Sequence, residues 1–260
     1  MPKRYGPIAY GLAFVVLIGF FVWWKLFSGQ VSSEFLAQYK RIIEITGANV
    51  SDPVQSDNSD DSLRIYGVHV VHTPPFKDPF IGYGIYLGQG LVLTAAHVVG
   101  RLPGYSHPRV VIAGDDLPAK VLKQGSPEET DLALLLVDQN RLPASLQLRR
   151  NPLCQFPLQV GMGVIVGYPE RTVRSQIISP LLIPQLYRSK YPTLINESQG
   201  SGSGVFSADK KCLIGIMSAR VTKFSYQGSK GFMTARENGF AGYFVPVSKG
   251  STFLSSVGKH

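Results

Sequence analysis

An all-β fold, two barrels of short strands behind an N-terminal membrane helix, is what this chain predicts. Three observations carry that expectation. From Leu63 onward the sequence is a succession of short apolar runs separated by turn residues, the pattern of many short strands. Glycine and proline are abundant, 27 and 18 of 260 residues, which disfavours long helices in that region. Ahead of it, residues 8–27 form one long apolar stretch. The chain is long enough for a substantial core, and 44% hydrophobic residues argue against a disordered composition.

Residues 1–30 read as a cytoplasmic stub and a transmembrane signal-anchor helix. From Ile8 to Phe27 only Lys25 interrupts the apolar run, and about 20 helical residues cover about 30 Å, the thickness of a bilayer core. Trp23 and Trp24 suit the headgroup interface. Lys3 and Arg4 hold the N-terminus in the cytoplasm, which places the rest in the periplasm or outside the cell. A cleaved signal peptide is the rival reading, but its apolar region is usually shorter, and residues 28–33 make a poor cleavage site.

Residues 31–62 follow as a short helix and an acidic linker. Phe35, Leu36, Tyr39, Ile42 and Ile43 share one helical face, and Gly47 stands where a C-terminal cap is expected. That face would pack on the following domain or, in the alternative reading, on a second copy in a homo-oligomer. Residues 51–62 are polar and acidic, as linkers are.

Residues 63–260 form the third region. Its first strand set is Arg64–Val71, Ile81–Leu87, Gly90–Leu93, Arg109–Ile112, Ala119–Leu122 and Leu132–Val137. The second is Gly163–Val166, Val173–Ile178, Gly204–Phe206, Leu213–Ser218 and Tyr243–Val245, with a short terminal helix over 248–256. Runs this short and this closely spaced build sandwiches or barrels, not alternating βα units.

The net charge is +9, but lysines and arginines are scattered, with no basic run interleaved with aromatics. A nucleic-acid partner is therefore not expected. His69 and His72 lie three apart on a strand and so point to opposite faces, which argues against a metal. Cys154 and Cys212 would meet an oxidising compartment if exported, and form either a disulfide or two buried thiols.

Three segments carry chemistry: Leu93-Thr94-Ala95-Ala96-His97-Val98, Thr130-Asp131-Leu132-Ala133-Leu134-Leu135 and Gly200-Ser201-Gly202-Ser203-Gly204-Val205-Phe206. A hydroxyl is a poor nucleophile at its own pKa. It needs a base within hydrogen-bond reach and a third group to orient that base. Ser201, His97 and Asp131 supply these roles, in the order and rough spacing of a double-barrel serine protease. Hydrolysis by such a site needs no metal and no organic cofactor.

From about Leu63 to Leu254 the chain resembles the trypsin-like peptidases, and within them the bacterial Deg/HtrA branch. The likeness rests on Gly90 to Val99 around the histidine, Ala119 to Leu134 ending at the aspartate, Val160 to Pro169, and Gly239 to Ser248. The resemblance implies two six-stranded β-barrels with the site in the cleft between them. It implies that Ser201 attacks, His97 shuttles the proton and Asp131 fixes the imidazole. Ser203 fits less well as nucleophile, because the apolar pair Val205-Phe206 is in register with Ser201. The oxyanion hole would be formed at Gln199, Gly200 and Ser201, and the substrate strand and pocket at Ser218, Arg220 and Ile195.

Two residues depart from the family pattern. Gln199 stands where glycine is usual, which puts the oxyanion turn in question or makes it switchable. Arg220 stands where a small residue usually leaves the pocket open. Ile195 near the pocket floor argues for small or apolar residues before the scissile bond, while Arg220 would select an acidic one or cover the mouth. The peptide-binding PDZ module common in that branch has no room after the protease region. The resulting expectation is a membrane-anchored serine endopeptidase acting on proteins or peptides. The alternatives are a catalytically weak protease-like domain that binds a protein partner in the cell envelope and, third, an anchored structural subunit.

Overall fold

Two six-stranded antiparallel sheets, each closed on itself, organise the chain. The computed structural model describes residues 60–74, 78–100, 108–126, 128–183, 185–197, 199–226, 233–249 and 253. The expected membrane span, the helix over 32–46, the linker up to residue 59 and most of the expected terminal helix lie outside these residues. Among the described residues, no helix is long and apolar enough to cross a membrane.

The first barrel contains β1 (Gly67–His72), β2 (Phe80–Gly88), β3 (Leu91–Thr94), β4 (Arg109–Ile112), β5 (Asp115–Gln124) and β6 (Ala133–Val137), in the order β1-β2-β3-β6-β5-β4. The second contains β7 (Gly163–Gly167), β8 (Thr172–Ile178), β9 (Leu194–Ile195), β10 (Gly204–Ser207), β11 (Leu213–Tyr226) and β12 (Met233–Pro246), in the order β10-β11-β12-β9-β8-β7. Pairing of β1 with β4 and of β10 with β7 closes the two cylinders and removes their open edges. Inward Val and Leu side chains fill each, among them Val68, Val70, Val92 and Leu135 in the first, and Val164, Val166 and Val205 in the second. Ile85 and Leu93, opposite each other on the other face of the first sheet, lie on the side of the second barrel, where Ile85 packs on Gly204.

Several strands differ from the sequence expectation. The first begins at Gly67, not Arg64, because Asp61–Tyr66 form a 3₁₀ helix that buries Leu63. Its entry is fixed at Asp60, which pairs with Lys211 and, at 2.5 Å, with Arg174. β9 has only two residues, too few to show an alternation, and was not expected. β11 and β12 extend well beyond the runs expected for them and pair along one long hairpin.

The barrels share a core. Phe206, Leu213, Ile216 and Val245 from the second pack into the same apolar cluster as Val68, Ile85 and Leu93 from the first. Cys154 and Cys212 form a disulfide with Cα atoms 5.3 Å apart, tying the inter-barrel connection to the turn after β10. This resolves the alternative that the sequence left open. Closing that loop, with a sequence separation of 58, is worth about 4 kcal/mol in chain-entropy terms.

Candidate active site

β3 delivers His97 to the cleft. After Thr94 the chain forms a one-turn helix, α1 (Ala96–Val99), ended by Gly100 at φ 81°. Ala95 and Ala96 are fully buried, and Val98 packs over Gly82 of β2, so the turn lies flat against the barrel. The His97 side chain keeps 32% of its surface, enough to meet a substrate.

Asp131, on the β5–β6 connection, lies behind it with 4% exposed. The backbone N–H of His97 donates to Asp131 Oδ1 at 2.9 Å, and Nδ1 lies 2.7 Å from Oδ2. The hydroxyl of Ser218 donates to the same Oδ2 at 2.6 Å. Burial by itself pushes the Asp131 carboxyl up, but the bonds from His97 and Ser218 outweigh it and hold the group below its ordinary value. The carboxylate therefore stays charged and fixes the proton on Nδ1, leaving Nε2 as the basic nitrogen.

Ser201 sits on a turn between Gly200 at φ 88° and Gly202 at φ 91°. Gly202 admits no side chain, because a Cβ there would lie 1.9 Å from the Tyr83 carbonyl and 2.6 Å from Thr94 Oγ1. Both barrels grip this turn. Tyr83 N–H donates to Ser201 O at 3.0 Å, Gly202 N–H to Met217 O at 2.8 Å, and Met217 N–H to Ser203 O at 2.8 Å. The Thr94 hydroxyl donates to Tyr83 O at 2.5 Å and braces the first-barrel side.

The Ser201 hydroxyl is directed at the Ser218 carbonyl, 3.5 Å away, and makes no hydrogen bond to His97 Nε2. Such bonds are often loose before substrate arrives. Ser203, the other hydroxyl of the motif, is completely buried, and its Oγ has no partner among the described residues.

The neighbouring turn is only partly free. Ser201 N–H donates to no group among the described residues, but the Gln199 N–H donates to Glu197 Oε1 at 3.0 Å. Gln199 O accepts from the Tyr168 hydroxyl at 3.1 Å. Burial, reinforced by the negative Glu197, pushes the Tyr168 phenol up, so it acts purely as a neutral donor.

The profile of the trypsin-like peptidase domain matches residues 82–216, which span His97, Asp131 and Ser201. The chain belongs to the trypsin-like peptidase family. It is accordingly a serine endopeptidase, a peptide-bond hydrolase acting on proteins or peptides. No curated protein sequence matches it significantly.

Solved structures share the fold of this trypsin-like peptidase. The Rv3671c protease of M. tuberculosis in its active form has a TM-score of 0.54 at 19% identity, covering 80% of this chain and 87% of that one. The inactive form of the Rv3671c protease has a TM-score of 0.51 at 18% identity, covering 80% and 96%. The HtrA-type protease AlgW bound to a tripeptide has a TM-score of 0.53 at 21% identity, covering 79% and 64%.

The remaining residues singled out in the sequence fall in different places. Ser218 is buried, with its hydroxyl on Asp131 and its carbonyl towards Ser201, so it bridges the two halves of the site. Arg220 is exposed on β11, opposite Gly242. Ile195 is completely buried in the second barrel's core, between Ile177 of β8 and Gly242 of β12. It presents no wall to a substrate pocket in this arrangement. A cavity of about 380 Å³ does open beside His97, lined by Ser218, Ala219, Tyr191 and Tyr243 and by charges of both signs, Glu128 and Lys190 among them.

His69 and His72 engage separate partners. His69 Nε2 lies 2.7 Å from Glu170 across the barrel interface, while His72 packs against Gly100. Among the described residues, no cluster of three metal-ligating side chains occurs. Tyr83, Thr94, Tyr168 and Glu197 were not singled out from the sequence. Thr94 stands inside the histidine motif and could have been, whereas nothing local marks Glu197.

Proposed function

We propose that Ser201 is the nucleophile, His97 the general base and Asp131 the orienting carboxylate of a membrane-anchored endopeptidase. The observation that carries this reading is the double contact of His97 with the buried, charged Asp131. It leaves Nε2 as the basic nitrogen, and Ser218 links Asp131 to Ser201, with its hydroxyl on the first and its carbonyl towards the second. Full burial of Ser203 supports the choice between the two hydroxyls.

On substrate binding, Ser201 Oγ attacks the scissile carbonyl carbon and its proton passes to His97 Nε2. Collapse of the tetrahedral adduct breaks the C–N bond, and the same proton leaves with the amine. Water then attacks the acyl-enzyme, with His97 again taking and returning the proton. The Ser201 N–H is open to receive the developing oxyanion. The Gln199 N–H reaches it after release from Glu197.

The span 8–27, with Lys3 and Arg4 before it, supports anchoring with the catalytic domain in the periplasm or outside the cell. Fluorophosphonate labelling of the full chain, read by mass spectrometry beside Ser201→Ala and His97→Ala, tests the assignment. Label on Ser201 that both substitutions abolish supports it; label elsewhere, or label that persists in Ser201→Ala, refutes it. The Gln199–Glu197 bond also favours a second reading, a catalytically weak domain that binds a protein partner. That reading predicts folded, unlabelled protein.

A further inference from the structure

α1 is held from behind as well as from in front. Gln124, the last residue of β5, donates its side-chain Nε2 to Ala96 O at 3.1 Å and to Gly100 O at 2.5 Å. Both partners are carbonyl oxygens, so only the NH₂ end of the amide can serve them and its orientation is fixed by chemistry. A helix of one turn leaves its carbonyls without helical partners. Two such orphans, one just before His97 and one just after the turn, are satisfied by this single side chain.

The same connection supplies the contact in front. Gln124 pairs with Ala133, and Gly125 N–H donates to Leu132 O at 2.8 Å, so the loop carrying Asp131 is pinched at its base. The neck has no slack, because a Cβ on Gly125 would lie 2.0 Å from Thr130 O. Asp131 takes the N–H and Nδ1 of His97 while Gln124 takes the carbonyls on either side.

We infer that Gln124 is a positioning residue for the general base, clamping the His97 turn against the rigid neck that also presents Asp131. It touches neither substrate nor reacting atoms and acts only through the place and tilt of the imidazole. The inference rests on the reading of His97 as base. Displacement of a reacting group by about 1 Å costs up to about 100-fold in rate.

The test uses the full chain with a fluorophosphonate probe, measuring the maximal rate of Ser201 modification and the half-saturating probe concentration. Gln124→Met keeps the length and removes the donors, and Gln124→Glu keeps the shape and turns donors into acceptors. Gln124→Lys restores N–H donors beside carbonyls at a helix C-terminus. The maximal rate is expected to fall about 10- to 100-fold in the Met and Glu variants, with half-saturation within about twofold. The Lys variant is expected to recover to within about fivefold of the parent.

Alongside, the NMR signal of the His97 Nδ1 proton on Asp131 is expected to broaden in Met and Glu and to sharpen again in Lys. An unchanged rate in Met, no recovery in Lys, or an effect confined to half-saturation overturns the inference. If the parent is not modified at Ser201, the nucleophile assignment fails and the proton signal decides the role of Gln124. Broadening then leaves the clamp standing, and an unmoved signal in both Met and Glu removes it.

Discussion

The turn that carries His97 and the turn that carries Ser201 are held by different kinds of contact. The first is complete: a buried carboxylate takes the imidazole and the backbone N–H, Ser218 completes the carboxylate, and Gln124 ties the carbonyls. The second is anchored only through its backbone. Its hydroxyl rests 3.5 Å from a carbonyl, and the Gln199 N–H is occupied by a partly exposed carboxylate of the same loop. Buried charged hydrogen bonds are costly to break, whereas a surface carboxylate on an N–H exchanges readily with water or substrate. On the proposed assignment, the base half is preorganised, and the nucleophile half is the part that substrate must finish.

Removing the carboxylate that holds each half should consequently act with opposite signs, at Asp131 on one and at Glu197 on the other. The largest effect is expected for Asp131→Asn, which keeps the shape of the base half but inverts its hydrogen-bond polarity. Activity per folded molecule should fall about 10⁴-fold, read by peptide hydrolysis or labelling rate. A loss below tenfold would show that the base half is not what organises the site. On the other half, Glu197→Ala should raise the rate of Ser201 modification, up to the value of one oxyanion donor, about 10²–10³-fold. An unchanged rate would mean that the Gln199 N–H is not what limits the resting enzyme.

Gly202→Ala probes the backbone anchoring of the nucleophile turn. It puts a Cβ against the Tyr83 carbonyl at a positive φ, so chemical denaturation should report a loss of about 3 kcal/mol or more. Removing the disulfide by Cys154→Ser with Cys212→Ser should cost about 2–4 kcal/mol, with activity per folded molecule retained, because the bridge lies on the connection between barrels and not in the cleft.

The smallest effect is one of pH. The Asp131 carboxyl is depressed in the folded state, so its stabilisation is fully present above its unfolded value, about 3.9. It is lost as pH falls through the lower, folded value. Urea midpoints should therefore drop below about pH 4 in the parent, and less steeply in Asp131→Asn. Equal slopes would place the acid sensitivity elsewhere.

Much of this arrangement is legible from local patterns. The short runs around Val68, Ile85, Leu93 and Leu135 announce strands because each is a few apolar residues between turn formers. The histidine and serine motifs are legible because tight packing demands Ala95 and Ala96 beside one and Gly200 and Gly202 beside the other. Elsewhere the local signal misleads or is silent. Arg64–Tyr66 look strand-like but belong to a 3₁₀ helix that buries Leu63. The residue before that helix, Asp60, pairs with Lys211 and Arg174, both remote in sequence. Ile195 is apolar near an expected pocket, but apolarity cannot distinguish a pocket wall from a core residue. Whether Cys154 and Cys212 pair depends on a Cα separation that no spacing encodes.

The sequence by itself determined the β class, the two strand sets, the order of His97, Asp131 and Ser201, and an apolar N-terminal stretch of membrane-spanning length. Each of these is written in residues adjacent along the chain, where steric and hydropathic constraints act locally. Only the tertiary structure decided that Ser218 completes Asp131, that Gln124 grips the His97 turn, that Glu197 occupies the Gln199 N–H, and that Ile195 is core. These are contacts set by how strands and turns are packed. A hydrogen bond has a reach of about 3 Å and is indifferent to the number of residues between its partners.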